Sequence, residues 1–193
     1  HVYDGDEAAG LQIIDASHHG WAWQAETLLS SQSQAQALDT LGVDGVVAAL
    51  GTNDIVRGTP VEAAAAVRTT LDTWRVSIPA MPVLQVWMLQ GGGRSEETTT
   101  PYREAIAAAV NADRRGGFFD TNTVLPGHDD PGGEELFRDA LHPNDLGHQR
   151  LGEALAGVLL AGSTEGAGVD RVPAAHAGWD EAITAYRAIR GVE

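Results

Sequence analysis

The chain has 193 residues, 43% of them hydrophobic and 20% charged, an ordinary globular balance with enough length for one domain and a sizeable core. Its 12 basic and 27 acidic residues leave a net charge of −15, which gives no electrostatic footprint for nucleic acid or an anionic membrane. There is no cysteine, so disulfides, thiolate nucleophiles and Cys-ligated zinc are excluded, and no apolar run reaches the length of a membrane span.

The chain opens on His1 rather than methionine, and its first ten residues, HVYDGDEAAG, carry no signal-peptide pattern. Four short apolar runs then read as buried strands: LQIIDAS (11–17), VDGVVAAL (43–50), MPVLQVWML (81–89) and GFFDTNTV (117–124). The second and third are almost wholly apolar, as interior strands of a parallel sheet covered on both faces should be. A helical segment follows each run. The segment 21–40 is the least regular of them. Over 61–75, Thr59, Pro60 and Glu62 supply an N-cap, a first-turn proline and a capping-box acid, and Ala64, Val67, Leu71 and Trp74 share one face. Thr100 and Pro101 are expected to open the next helix and Gly116 to close it. Asn144 is placed to cap a last core helix whose stripe is Leu151, Leu155, Val158 and Leu159. Residues 162–178 read as a linker or wrapping loop and 179–189 as a small terminal helix. The organisation expected is therefore a domain over 1–161 with a C-terminal extension, 162–193. Strand alternating with helix implies an α/β fold with a parallel sheet, and in such sheets the site lies at the carboxyl ends of the strands. The loops there are 15–20, 51–59, 90–100 and 125–144.

Chemistry concentrates in those loops. In ALGTND (49–54), Gly51 permits a tight turn, and Asn53 offers an amide that could donate to a developing oxyanion or simply form an Asx turn. In ASHHGWAW (16–23), Gly20 could present a backbone N–H as a second oxyanion donor. His18 and His19 are adjacent and so diverge, which makes a poor metal pair. Trp21 and Trp23 could wall a pocket, but packing is the simpler account. In DALHPNDLGH (139–148), Asp139 lies three residues before His142, close enough to accept from one ring nitrogen while the other serves a nucleophile. A capped helix with two incidental polar residues is the bland alternative. His148 lies inside the helix and reads as structural. The acidic turn GHDDPGG (127–133) reads as a solvated loop rather than a cation site.

Together these stretches resemble the SGNH hydrolases, the GDSL esterase/lipase family. ALGTND is similar to that family's third block and DALHPNDLGH to its fifth, Asp-x-x-His-Pro; IIDASHHGWAW is similar to its second. The resemblance spans about residues 11 to 160. It implies a flavodoxin-like three-layer sandwich, ester hydrolysis without metal or cofactor, Asp139 and His142 as triad members, and an oxyanion hole of Gly20, Asn53 and the nucleophile's own N–H. The substrate it implies is a small-molecule, lipid or carbohydrate ester.

The family's first block, Gly-Asp-Ser at the end of a strand, is missing. Gly5 and Asp6 are followed by Glu7, and no apolar strand precedes them. In one reading the block lies upstream of His1, so the domain is N-terminally truncated and a central strand of the sheet is absent. In the other, 11–17 is the nucleophile strand and Ser17 the nucleophile, which would displace Gly20 from its role. The spacing from Gly20 to residues 51–54 and the start at His1 favour the first. Two rivals of other classes remain: a non-catalytic binding module on the same fold, and a metal-assisted phosphoesterase using Asp54, Asp139 and His142.

Overall fold

In a computed structural model the described residues are 20–26, 31–43, 45–87 and 94–161. The strand expected at 11–17, Ser17, and the extension 162–193 lie outside them. Three strands, β1 (Val46–Ala48), β2 (Val83–Trp87) and β3 (Gly116–Asp120), form a parallel sheet in the order β1-β2-β3. Val46 stands opposite Val83, and Gln85 opposite Phe118. β2 is central and all five of its residues are buried, as its near-continuous apolar run required.

Helices cover both faces. α1 (Trp23–Glu26) and α2 (Ser31–Thr40) precede β1; α3 (Pro60–Ser77), α4 (Glu96–Asn111) and α5 (Asp145–Ala161) follow the three strands in turn. Val83, Trp87 and Phe118 pack with Val67, Leu71, Trp74 and Ile106 of α3 and α4. The alternate residues Leu84, Val86 and Phe119 pack with Val158, Leu155 and Leu159 of α5. The period of two along each strand thus divides the core into two apolar layers, which is the expected three-layer α/β sandwich. No helix among the described residues is long and apolar enough to cross a membrane.

α3 forms as its local code dictates. The Thr59 hydroxyl accepts from the Glu62 N–H, the Glu62 carboxylate accepts from the Thr59 N–H, and Pro60 sits where no N–H is needed. Such a cap contributes about 1 kcal/mol. Asn144 caps α5, its Oδ1 accepting from the N–H groups of Leu146 and Gly147 at 3.0 and 3.1 Å.

α4 departs from expectation at both ends. It starts at Glu96, more than a turn before Pro101, because the Ser95 side chain accepts from the Thr98 N–H and two acids favour the positive end of the helix dipole. Pro101 lies inside the helix. The helix ends at Asn111, and Gly116 instead opens β3. A Cβ at Gly116 would stand 2.1 Å from the Val110 carbonyl oxygen, so the tight return from α4 to β3 admits only glycine.

Candidate active site

Two loops at the carboxyl ends of the strands carry the residues singled out by sequence. The first leaves β1. Gly51 takes φ +114° and lies so close to the Trp87 ring that a Cβ would approach it to 2.7 Å. The chain then turns through Asn53 into a short 3-10 turn, Asp54–Val56. Asn53 does not form an Asx turn. Its Nδ2 donates across 2.9 Å to the Trp21 carbonyl, 32 residues earlier, and leaves that amide's second N–H available. Gly20, at φ +77°, has its carbonyl held at 2.9 Å by the Arg57 guanidinium. The structure therefore brings Asn53 and Gly20 into one locale.

Asp54 faces the other way. It is fully buried, and its two oxygens accept the backbone N–H groups of Trp23 and Gln24 at 2.9 and 3.0 Å. Burial pushes its pKa up, opposed by those two N–H bonds and by Arg57. Both of its oxygens thus bind the start of α1. Among the described residues no three His, Asp or Glu side chains converge to hold a metal ion. Of the two tryptophans, Trp23 is fully buried, its indole N–H donating to Gln85 Oε1 at 2.8 Å and its ring tilted against Trp74. It packs rather than walls a pocket.

The second loop follows β3. Its apex is a hairpin in which Phe137 pairs with Pro143, and the Arg138 N–H donates to the His142 carbonyl at 2.8 Å. Asp139 sits in the bend. Its Oδ1 accepts the N–H groups of Leu141 and His142 at 2.9 and 2.8 Å, and its two oxygens lie 2.9 and 3.0 Å from His142 Nδ1. A carboxylate can only accept here, so in the neutral imidazole the tautomer this contact selects has the proton on Nδ1 and the lone pair on Nε2. The N–H groups of Leu141 and His142, then the imidazole, hold the Asp139 carboxyl well below the usual carboxylate range. Asp139 and His142 are about half exposed, with side-chain accessibilities of 49% and 53%. The loop therefore builds more than two incidental polar residues: the pair is in direct contact, with a basic nitrogen open.

His148 is exposed on α5 and takes no part in this contact. In the acidic turn, His128 Nδ1 lies 2.7 Å from Asp129, and its ring meets Phe137 edge-on, so the turn buttresses the hairpin. Sequence reasoning overlooked Gln85, Arg57 and Arg94. Arg94 donates at 2.8 Å to the Thr52 carbonyl, beside Asn53. The one signal for Gln85 was a lone amide within an otherwise apolar strand, VLQVW.

Comparison with known proteins bears on the fold and the family. A crystal structure of a carbohydrate esterase family 3 protein from Talaromyces cellulolyticus superposes with a TM-score of 0.58 at 18% identity, over 75% of this chain and 69% of that one. A crystal structure of a serine-to-alanine mutant of an acetyl esterase with acetate ion matches with the same figures. At such identity the likeness is one of fold. No curated protein sequence is a significant match. Residues 6–150, however, match the model of the GDSL-like lipase/acylhydrolase family, and over that span the chain belongs to this family of ester hydrolases.

Proposed function

We propose that this protein hydrolyses a small-molecule, lipid or carbohydrate ester through an acyl-enzyme, with His142 as general base and acid and Asp139 as its orienting carboxylate. What carries the reading is the contact between His142 Nδ1 and both oxygens of Asp139, at 2.9 and 3.0 Å, which in the neutral imidazole puts the lone pair on Nε2. A serine Oγ attacks the ester carbonyl as its proton passes to Nε2. The carbonyl electron pair becomes an oxyanion, which accepts from the Gly20 N–H, the second N–H of Asn53 and the nucleophile's own backbone N–H. Asp139, kept ionised, stabilises the imidazolium. The intermediate collapses, the C–O bond to the alcohol breaks, and the departing alkoxide takes the proton from Nε2. Water then attacks the acyl-serine, again giving its proton to Nε2, which returns it to the serine as the acid leaves.

Ser17 is the candidate nucleophile within these 193 residues, and a serine on a Gly-Asp-Ser block that they do not contain is the other. Labelling the natural gene product with a fluorophosphonate and locating the tagged peptide separates these. In that protein His142→Ala should lower kcat on the order of 10⁴-fold. Turnover close to wild type in the folded variant would sink the assignment. No labelled serine and no turnover in the wild type would return the fold to a binding role.

A further inference from the structure

The proposed oxyanion donors sit on two separate loops, and neither loop is held by its own local structure alone. α1 is a single turn, and the 3-10 turn after Asn53 has no side-chain cap. An oxyanion donor must nonetheless stand within about 3 Å of a point in space, and misplacement by about 1 Å costs roughly 100-fold in rate. Something has to fix the two loops against each other.

Gln85 lies at the middle of the central strand, fully buried. Its Nε2 donates at 2.7 Å to the Leu50 carbonyl, immediately before Gly51, and at 2.8 Å to the Val86 carbonyl. Its Oε1 accepts from the Trp23 indole at 2.8 Å. Trp23 is two residues from Trp21, whose carbonyl holds the Asn53 amide, and its own backbone N–H is bound by Asp54, the neighbour of Asn53. The bonds close a ring that runs from Gln85 through Leu50 to Asn53, across to Trp21, along to Trp23 and back to Gln85. A buried polar side chain in an apolar strand costs stability unless satisfied, and an aliphatic residue of similar size would pack there without that demand. Gln is the side chain that can donate to one loop and accept from the other at once whatever the pH; Glu can donate only when protonated, and Leu or Met can do neither.

We propose that Gln85 is a positioning residue for the ester-hydrolase site, clamping the loop of Gly20 and Trp23 to the loop of Leu50 and Asn53 so that the two oxyanion donors hold one geometry. This rests on the function proposed above. Gln85 touches no substrate; it acts through Trp23 and Leu50.

The test compares wild type, Gln85→Met and Gln85→Glu in the natural gene product. The measurements are kcat and KM for p-nitrophenyl acetate, the pH profile, and hydrogen exchange of the Trp23 indole and Asn53 side-chain protons by NMR. Gln85→Met should lower kcat by about 10- to 100-fold with KM within about threefold, as expected when oxyanion donors lose alignment. The shape of the pH profile should not change, because Asp139 and His142 are untouched. The Trp23 indole should lose protection and the Asn53 amide protons should exchange faster. Gln85→Glu should keep the indole protected, and its kcat should fall relative to wild type as pH rises and the buried carboxyl ionises, because only the protonated carboxyl can donate to Leu50. If Gln85→Met does not fold, Gln85→Glu carries the same decision. A folded variant with wild-type kcat and unchanged Asn53 exchange overturns the proposal. Should the wild type itself fail to turn over ester, that sinks the hydrolase reading; the exchange data still decide the clamp. Faster exchange of the Asn53 amide in a folded variant supports the clamp, and unchanged Asn53 exchange overturns it.

Discussion

Asp139 serves the loop and the imidazole with one carboxylate. Its Oδ1 closes the bend by taking two backbone N–H groups, and both oxygens face His142 Nδ1. Asp139→Asn separates these tasks. The amide oxygen can still accept from Leu141 and His142, so the bend survives, but the amide nitrogen now faces a ring nitrogen that had been a donor. The imidazole then favours the opposite tautomer, with Nε2 protonated and unable to take a proton from serine. The kcat of Asp139→Asn should fall on the order of 10⁴-fold, while the fold survives with a modestly lower melting temperature near neutral pH. The sign of the pH effect on stability follows from the depressed pKa. A folded-state value below the unfolded one contributes stability above the ordinary carboxylate value of about 4, and that contribution is lost as pH falls below it. Melting curves of wild type should therefore decline more steeply on acidification below about pH 4 than those of Asp139→Asn. Parallel declines would show that the depression is not there.

At the scale of elements, local sequence codes are legible and long-range fit is not. α3 is readable because its cap residues lie three apart and its buried face repeats at helical spacing. The start of α4 is misleading because a Thr-Pro pair is a general start signal, whereas Ser95 with Glu96 and Glu97 makes an earlier one. Its end misleads because Gly116 looks like a helix stop, while its real constraint is the Val110 carbonyl packed against its Cα. Two glycine-to-alanine changes separate the cases. Gly116→Ala drives a methyl into a backbone oxygen and should destabilise by about 1–3 kcal/mol, or roughly 2–10 °C in melting temperature. Gly152 occupies an exposed position within α5, and a Cβ placed there would meet nothing within 4 Å, so Gly152→Ala should stabilise by about 0.5–1 kcal/mol. Urea unfolding of the two variants should give shifts of opposite sign; a Gly116→Ala variant as stable as wild type or more so would overturn the packing account of Gly116. Arg75 shows a contact no local pattern could announce. It pairs bidentately with Asp113 at 2.8 and 2.8 Å and also donates to the Met81 carbonyl, tying the end of α3 to the turn before β3 and the entry to β2.

For the whole molecule, the candidate site divides by sequence distance. Asp139 and His142 could be paired from the sequence because they are three residues apart; the ring through Trp21, Asn53, Trp23 and Gln85 joins residues 32 and 62 apart and had no readable spacing. Charge is a property of the same scale. The chain carries −15, and all 12 of its basic residues are arginine. Several of these are engaged by internal partners: Arg57 by the Gly20 carbonyl, Arg94 by that of Thr52, Arg75 by Asp113. Arg57 and Arg94 thus direct their hydrogen bonds to carbonyls that tie loops together rather than to acids of the surface. The folded state therefore concentrates unpaired negative charge, and self-repulsion opposes compaction. Salt should relieve it. Raising sodium chloride from about 10 to about 200 mM shortens the screening length from about 30 Å to under about 10 Å, so that exposed acids cease to sense one another across the surface. The partly buried pair of Arg75 and Asp113 is screened far less, and isolated surface pairs are each worth only about 0–1 kcal/mol. The melting temperature should accordingly rise by a few degrees over that range, and a fall would mean that local ion pairs, rather than net repulsion, dominate the electrostatics of this fold.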